Sequence, residues 1–254
     1  MRILSSPVKL VLLLFVTYLC SSGRIHTSNM AAYQRMFSNI EPTSVNLIIA
    51  HPDDEVMFFA PVLLQLDSML HYRVVFRVFS LTNGGADGLG GTRARELKDS
   101  LHLLMHRKHP SVEVLNFVDG MDEEWDLLRT TRELESRVTD SVPAFITFDD
   151  RGISNHINHI SCYKTVQSLK SIYTRGLYYR LLSKESVFQT YTAFVPALLH
   201  LYRPTESIVF VSSFKAYLLS FATMLNAHVS QMVWFRYGWW LFSYYVFANE
   251  LEAF

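Results

Sequence analysis

Apolar, β-rich runs recur along the chain with room for a helix between each pair, and this alternation constrains the fold more than any other feature. The runs occupy residues 45–50, 74–81, 112–118, 144–148 and 208–211. Between them lie helical patterns. One covers 92–106, with Leu97, Leu101 and Leu104 at helical spacing; others cover 123–138 and 156–173, and another begins near 215. Strands that alternate with helices are joined by right-handed crossovers, which build a mostly parallel sheet covered by helices. A chain of 254 residues suits one large α/β domain plus an appendage. No internal repeat or low-complexity tract interrupts the pattern.

The first run ends in His51-Pro52-Asp53-Asp54-Glu55 and opens onto Val56-Met57-Phe58-Phe59, so a buried strand leads straight into the first turn of a helix. Open α/β sheets place their chemistry at such strand exits. His51 and Asp54 are three apart, and one helical turn aims both at the same point. An imidazole nitrogen and a carboxylate oxygen suit Zn²⁺, which leaves Asp53 free to handle protons. Glu55 is expected to orient a ligand or the helix end.

The fourth run exits through the segment 149–159, where His156 and His159 share a helix face if the helix begins near Ser154. Combined with the first motif, this makes His51, Asp54 and His159 three protein ligands, the number a catalytic zinc site uses beside its water. His156 is then spare, close to the metal and able to act on a substrate. Plainer readings exist for each residue. Asp53 and Asp54 also suit a helix N-terminus, and a lone histidine at a helix start is often a cap or a surface group. His26, His71, His102, His106, His109, His200 and His228 take that ordinary reading. The ligand reading stands on two motifs, each at a strand exit.

The segment 82–91 holds Gly84, Gly85, Gly88, Gly90 and Gly91. They do not form G-x-G-x-x-G at a strand–helix junction, and no Gly-Lys-Ser/Thr is present, so a nucleotide loop is not indicated. Glycines permit close backbone approach and positive φ. The loop is therefore suited to wrap a polar headgroup, or it is simply a tight connection.

The formal net charge is zero and no Lys/Arg block stands out, so nucleic-acid binding has little electrostatic support. Apolar residues reach 50% and aromatics 14%, a balance that points to lipid contact. Residues 10–23 are uncharged and Leu/Val-rich, with Arg2, Lys9 and Arg24 around them. The run is shorter than the roughly 20 residues a spanning helix wants. It reads as a membrane anchor or as a signal peptide with Ser21-Ser22-Gly23 at the cleavage region. The expected organisation is an anchor or signal-like segment over 1–25, a polar tether over 26–43 and a catalytic domain over 44–254. Within that domain, 231–254 is crowded with aromatics: Trp234, Phe235, Tyr237, Trp239, Trp240, Phe242, Tyr244, Tyr245 and Phe247. Such a segment either faces a membrane interface or packs as an ordinary aromatic helix. Cys20 and Cys162 make no disulfide framework.

Ala50-His51-Pro52-Asp53-Asp54-Glu55, taken with Gly152-x-Ser154-x-His156-x-x-His159, resembles the LmbE-like family of zinc-dependent de-N-acetylases. Three further stretches look like its eukaryotic PIG-L branch: Leu81-Thr82-Asn83-Gly84 through Gly90, Arg93-x-x-Glu96-Leu97, and Gln231-Met232-Val233-Trp234-Phe235-Arg236-Tyr237. The motifs run from about residue 45 to 237. The resemblance implies a Rossmann-like three-layer α/β/α fold. It also implies Zn²⁺, or another divalent metal, on His51, Asp54 and His159, with Asp53 as general base. His156 is expected to be an imidazolium that steadies the oxyanion or protonates the leaving amine. Arg93, and with it Asn83 and Asp87, is expected to face the substrate. Asn155 stands where the family pattern has glycine, and asparagine adopts the left-handed backbone less freely. That branch removes acetate from GlcNAc-phosphatidylinositol in GPI-anchor synthesis, at the cytosolic face of the endoplasmic reticulum membrane. The expected partners are this glycolipid and the membrane. Two other functions fit the same residues: a soluble or secreted de-N-acetylase of a non-lipid GlcNAc conjugate, and a non-catalytic binding subunit.

Overall fold

The computed structural model describes residues 6–38, 40–203 and 205–254. Among them, β1 (Ser44–Ile49), β2 (Val75–Ser80), β3 (Ser111–Val114), β4 (Pro143–Phe148), β5 (Leu177–Leu181), β6 (Ile208–Val211) and β7 (Ala248–Ala253) form one sheet. Their order is β3-β2-β1-β4-β5-β7-β6. β1 pairs in parallel with β2 and with β4, β2 with β3, and β4 with β5. Every residue of β1 and β4 is buried. Helices cover both faces of the sheet there, which is why these strands read as unbroken apolar runs rather than alternating ones.

One helical layer joins Ala60–Met69, Gly90–Leu104 and Phe214–Ala227, which pack on one another. The helix Ile157–Leu169 packs against β1 and β4, with Leu127–Glu135 beside it. The three-layer α/β/α expectation holds. Capping sets the helix starts: the Asp126 carboxylate accepts from the Leu128 and Arg129 N–H groups, so that helix is shorter than the expected 123–138. From β1 the chain proceeds to β2 and β3 on one side, whereas β4 leads to β5 on the other. The C-terminal ends of β1 and β4 therefore flank a topological switch point, the crevice where such sheets bind ligands.

Three expectations need correction. The segment 26–43 is not a polar tether, because Ser22–Met36 is a helix laid against β6. Ile25, Asn29, Ala32 and Met36 form its buried stripe. The Asn29 amide donates to the Val211 carbonyl at 2.9 Å and accepts from the Val211 N–H at 2.8 Å, so a side chain seals the outer edge of β6. Tyr18 adds a bond to the Ser212 carbonyl at 2.6 Å.

The segment 231–254 is not one membrane-facing element either. Trp234–Phe242 is a helix with Trp234, Phe235, Tyr237 and Phe242 exposed, whereas Trp240, Tyr244, Tyr245 and Phe247 are buried. The chain then enters β7, which runs antiparallel between β5 and β6. Finally, β5 and β7 lie outside the expected strands. The Glu250 and Glu252 charges made β7 look polar, but each has a cation beside the sheet, Lys184 at 2.8 Å and Arg180 at 2.6 Å.

Residues 1–5 of the expected N-terminal segment lie outside the described residues. In the helix Ser6–Cys20, Val8, Leu10, Val11, Leu12, Leu13, Val16 and Leu19 are exposed. Among the described residues no single helix is long and apolar enough to cross a membrane. Pro7–Cys20 and Ser22–Met36 reach that composition only as a pair bent by 63°.

Candidate active site

The exit of β1 is folded back on itself by Asp54. Its Oδ2 accepts from the Ala50 and His51 N–H groups at 3.0 and 2.9 Å. That bracing aims Oδ1 at His159 Nε2, 3.3 Å away, while His51 Nδ1 lies 3.6 Å from Oδ2. One ligand atom each from His51, Asp54 and His159 falls within 4.8 Å of the others, and all three residues are buried. His159 Nδ1 lies 2.9 Å from the Gly152 carbonyl. A carbonyl only accepts, so Nδ1 carries a proton and Nε2 is the nitrogen left to face Asp54. Nε2 is buried without a hydrogen-bond partner and faces a carboxylate oxygen. A divalent cation resolves that arrangement, and two imidazoles plus a carboxylate are a donor set that Zn²⁺ favours.

The electrostatics of these side chains agree. Burial disfavours a charged His51, but bonds to Asp119 and Asp54 outweigh it and raise its pKa to about 10. Burial likewise opposes ionisation of Asp54, yet His159 and His51 hold it well below the usual carboxylate range. The bond to His51 also lowers the Asp119 carboxyl. Asp119 Oδ1 sits 3.1 Å from His51 Nε2, with the side-chain Oδ1 of Asn158 3.2 Å from the same nitrogen.

Asp53 is buried between two guanidiniums. Arg236 Nη2 lies 2.7 Å from Oδ2 and Arg93 Nη2 lies 3.7 Å from Oδ1. Its backbone has φ +130°, a conformation a side-chain-bearing residue keeps only under constraint. Glu55 supplies the constraint: fully buried, it accepts the Asp53 N–H at 3.0 Å. Its other oxygen meets Ser100 Oγ at 2.5 Å and His228 Nε2 at 2.6 Å. Glu55 thus acts on the neighbouring Asp53 rather than on a ligand.

The glycine loop makes room for side chains of the site. Gly84 has φ +67°, and a Cβ there would stand 2.5 Å from the Arg93 guanidinium. A Cβ on Gly90 would come equally near the Asn83 amide, at 2.6 Å. Arg93 also donates to the Gly84 and Pro52 carbonyls, so it is tied to both the loop and the β1 exit. Asn83 is half-buried beneath the loop. Asp87 does not join this group: it is exposed on the turn Gly85–Asp87, with no hydrogen bond or ion pair among the described residues.

His156 stands 4.8 Å from His51 and 4.7 Å from His159, ring centre to ring centre. The Asn158 N–H donates to its Nδ1 at 3.2 Å, so the ring is neutral with its proton on Nε2. Burial, then the neighbouring His159 and His51, push its pKa down to about 4. The expected imidazolium is therefore corrected to a neutral donor. The turn before it has positive φ at Gly152, Ile153, Ser154 and Asn155, so asparagine does adopt the left-handed backbone here. Asp149 holds the turn by accepting from the Arg151 and Gly152 N–H groups and from Ser183.

Three residues of the site escaped sequence reasoning. Asp119 directly follows the strand run ending at 118, so the strand-exit rule that found Asp53 applies to it as well. Arg236 lies in the stretch 231–237 that carries the resemblance, which gives it no role, and His228 carries no local signal; their partners Asp53 and Glu55 are distant in sequence.

Residues 46–170 match the family model described as PIG-L, GlcNAc-PI de-N-acetylase. The chain is 38% identical to a Saccharomyces cerevisiae protein named N-acetylglucosaminyl-phosphatidylinositol de-N-acetylase, over all of this chain and 95% of that protein. A Bos taurus protein of the same name is 30% identical over 81% of each chain. Among solved structures, an N,N'-diacetylchitobiose deacetylase from Pyrococcus horikoshii superposes with a TM-score of 0.54 at 16% identity, covering 87% of this chain and 86% of the other. The hydratase GalB from Pseudomonas putida superposes with a TM-score of 0.52 at 13% identity, covering 83% and 95%. Two different chemistries on one scaffold mean that these superpositions speak for the fold alone.

Proposed function

The chain belongs to the PIG-L family of GlcNAc-PI de-N-acetylases, and from that premise we propose that it hydrolyses the acetamide of N-acetylglucosaminyl-phosphatidylinositol, with a divalent metal, Zn²⁺ by its donor set, held by His51, Asp54 and His159. The observation that carries this reading is the buried, partnerless His159 Nε2 facing Asp54 beside an ionic Asp53. A metal so bound acidifies water and polarises the amide carbonyl.

The chain's own residues divide the remaining work. Asp53 takes the proton released as the nucleophile forms, and its clamp of Arg93 and Arg236 fixes where that proton lands. His156 offers Nε2–H as a hydrogen-bond donor to the oxyanion. Its Nδ1 is occupied by the Asn158 N–H, so it has no second proton to give. Asp53 is then the group that passes its acquired proton to the sugar nitrogen as the C–N bond breaks. One carboxylate serves as base and then as acid.

The lipid part of the substrate fits the surface around the site. The helix Trp234–Phe242 exposes Trp234 at 83%, and Phe188 nearby in sequence to the cleft-lining Tyr191 is exposed at 80%. These side chains, together with the exposed apolar face of Ser6–Cys20, support residence on a membrane with the N-terminal segment as anchor; the endoplasmic reticulum, with the site towards the cytosol, is proposed only as the location that the glycolipid substrate implies. Purified full-length protein incubated with GlcNAc-phosphatidylinositol should release a free amine, and a chelator should abolish it. No amine from the metal-loaded protein refutes the reading.

A further inference from the structure

Arg236 occupies a boundary. On one side its Nη2 lies 2.7 Å from the Asp53 carboxylate. On the other it lines a cleft of about 460 Å³ with Met57, Tyr191, Phe235, Trp239 and Phe242. Its hydrogen-bonding capacity is far from used. Nη1 lies against the Met57 sulfur, a weak acceptor, and Nε is buried with no acceptor at all. Trp239, on the same cleft, has its indole N–H buried and equally without an acceptor. Buried polar groups in folded proteins are nearly always bonded, and these two donors, like several others among the described residues, have no partner within the protein.

Resting on the glycolipid reading above, we propose that Arg236 and Trp239 bind the phosphodiester of the substrate, and that the cleft beside them takes the first part of its diacylglycerol. The order of the groups carries the assignment. In the substrate the acetamide-bearing sugar is joined through inositol to phosphate, then glycerol, then acyl chains. In the protein Asp53 is followed by a guanidinium, then an apolar cleft, then exposed Trp234 and Phe235. A guanidinium serves two acceptors at once in a planar fork, which suits a carboxylate on one edge and a phosphate on another. Binding energy from the phosphate would thereby be spent on aligning the amide with Asp53.

The competing role for Arg236 is to orient Asp53 and nothing more. Full-length protein and its Arg236→Gln and Trp239→Phe variants, all metal-loaded, separate the two when assayed on GlcNAc-phosphatidylinositol and on GlcNAc-inositol, which lacks the phosphate. Arg236→Gln should lower kcat/KM on both but about 10-fold or more further on the phosphate-bearing substrate, the scale of one charge-assisted hydrogen bond. Trp239→Phe should likewise lower the phosphate-bearing one further than the other. Equal losses on the two substrates overturn the proposal. Inhibition of the unaltered protein covers the case of an unfolded variant: with GlcNAc-inositol as substrate, phosphatidylinositol micelles should inhibit and diacylglycerol in the same detergent should not. Equal inhibition, or none, overturns the proposal. Failure of the functional reading is a different result, the absence of amine from either substrate with the unaltered protein.

Discussion

Asp53 sits at φ +130° with a guanidinium on each carboxylate oxygen, and its neighbour Glu55 holds the backbone there. Such strain persists only where the surroundings over-determine it. Asp53→Asn keeps the shape and removes the proton acceptor, so turnover should fall by about 10²- to 10⁴-fold, while metal analysis still finds a full site. His159→Ala should instead lose the metal, and metal retained at wild-type stoichiometry would remove His159 from the ligand set. Acidity should oppose loading. In the metal-free site His51 holds a proton up to about pH 10, so binding must displace it. Affinity should therefore rise by about tenfold per pH unit between pH 6 and 9, as read by chelator competition, because one proton is released. His51, Asp53 and Asp54 were legible because they lie within a few residues of the β1 exit, and His159 because it pairs with His156 in the segment that leaves β4. The roles of Arg236 and His228 were not, because their partners Asp53 and Glu55 stand far away in sequence.

At the scale of elements, the turn 152–155 is the most demanding piece of backbone. Gly152 has φ +57°, and a Cβ there would stand 2.9 Å from the His159 side chain. Gly152→Ala should cost roughly 1–3 kcal/mol by denaturant titration and displace His159 from the metal. Asn29→Ala tests a different element. It strips Val211 of both its amide partners, so stability should fall by about 1–3 kcal/mol, and exchange of the Val211 amide hydrogen should quicken. Strands buried on both faces, β1 and β4, declared themselves as apolar runs. The edge-side strands did not. β7 carries two glutamates whose partners come from other segments, and Ser22–Met36 hides a narrow buried stripe in a polar composition.

Across the whole molecule, the exposed Phe235 and Phe242 of Trp234–Phe242 line the cleft beside Arg236, the residue that holds Asp53. Replacing both Trp234 and Phe235 by Ala should weaken sedimentation with phospholipid vesicles by more than about tenfold, since each large side chain contributes about 1.5–3 kcal/mol on leaving water. Circular dichroism should stay unchanged, because both residues point away from the core. The place of β7 in the sheet also sets a timetable for synthesis. β6 reaches the sheet only through β7, and the helices made first, Ser6–Cys20 and Ser22–Met36, dock through Ser212 and Val211 at the end of β6. While the ribosome still holds residues 248–253, the strand on which these two helices dock has no neighbour in the sheet. A nascent chain stalled at Phe247 should leave its N-terminal helices open to protease and chaperone, and the six residues that follow should close them.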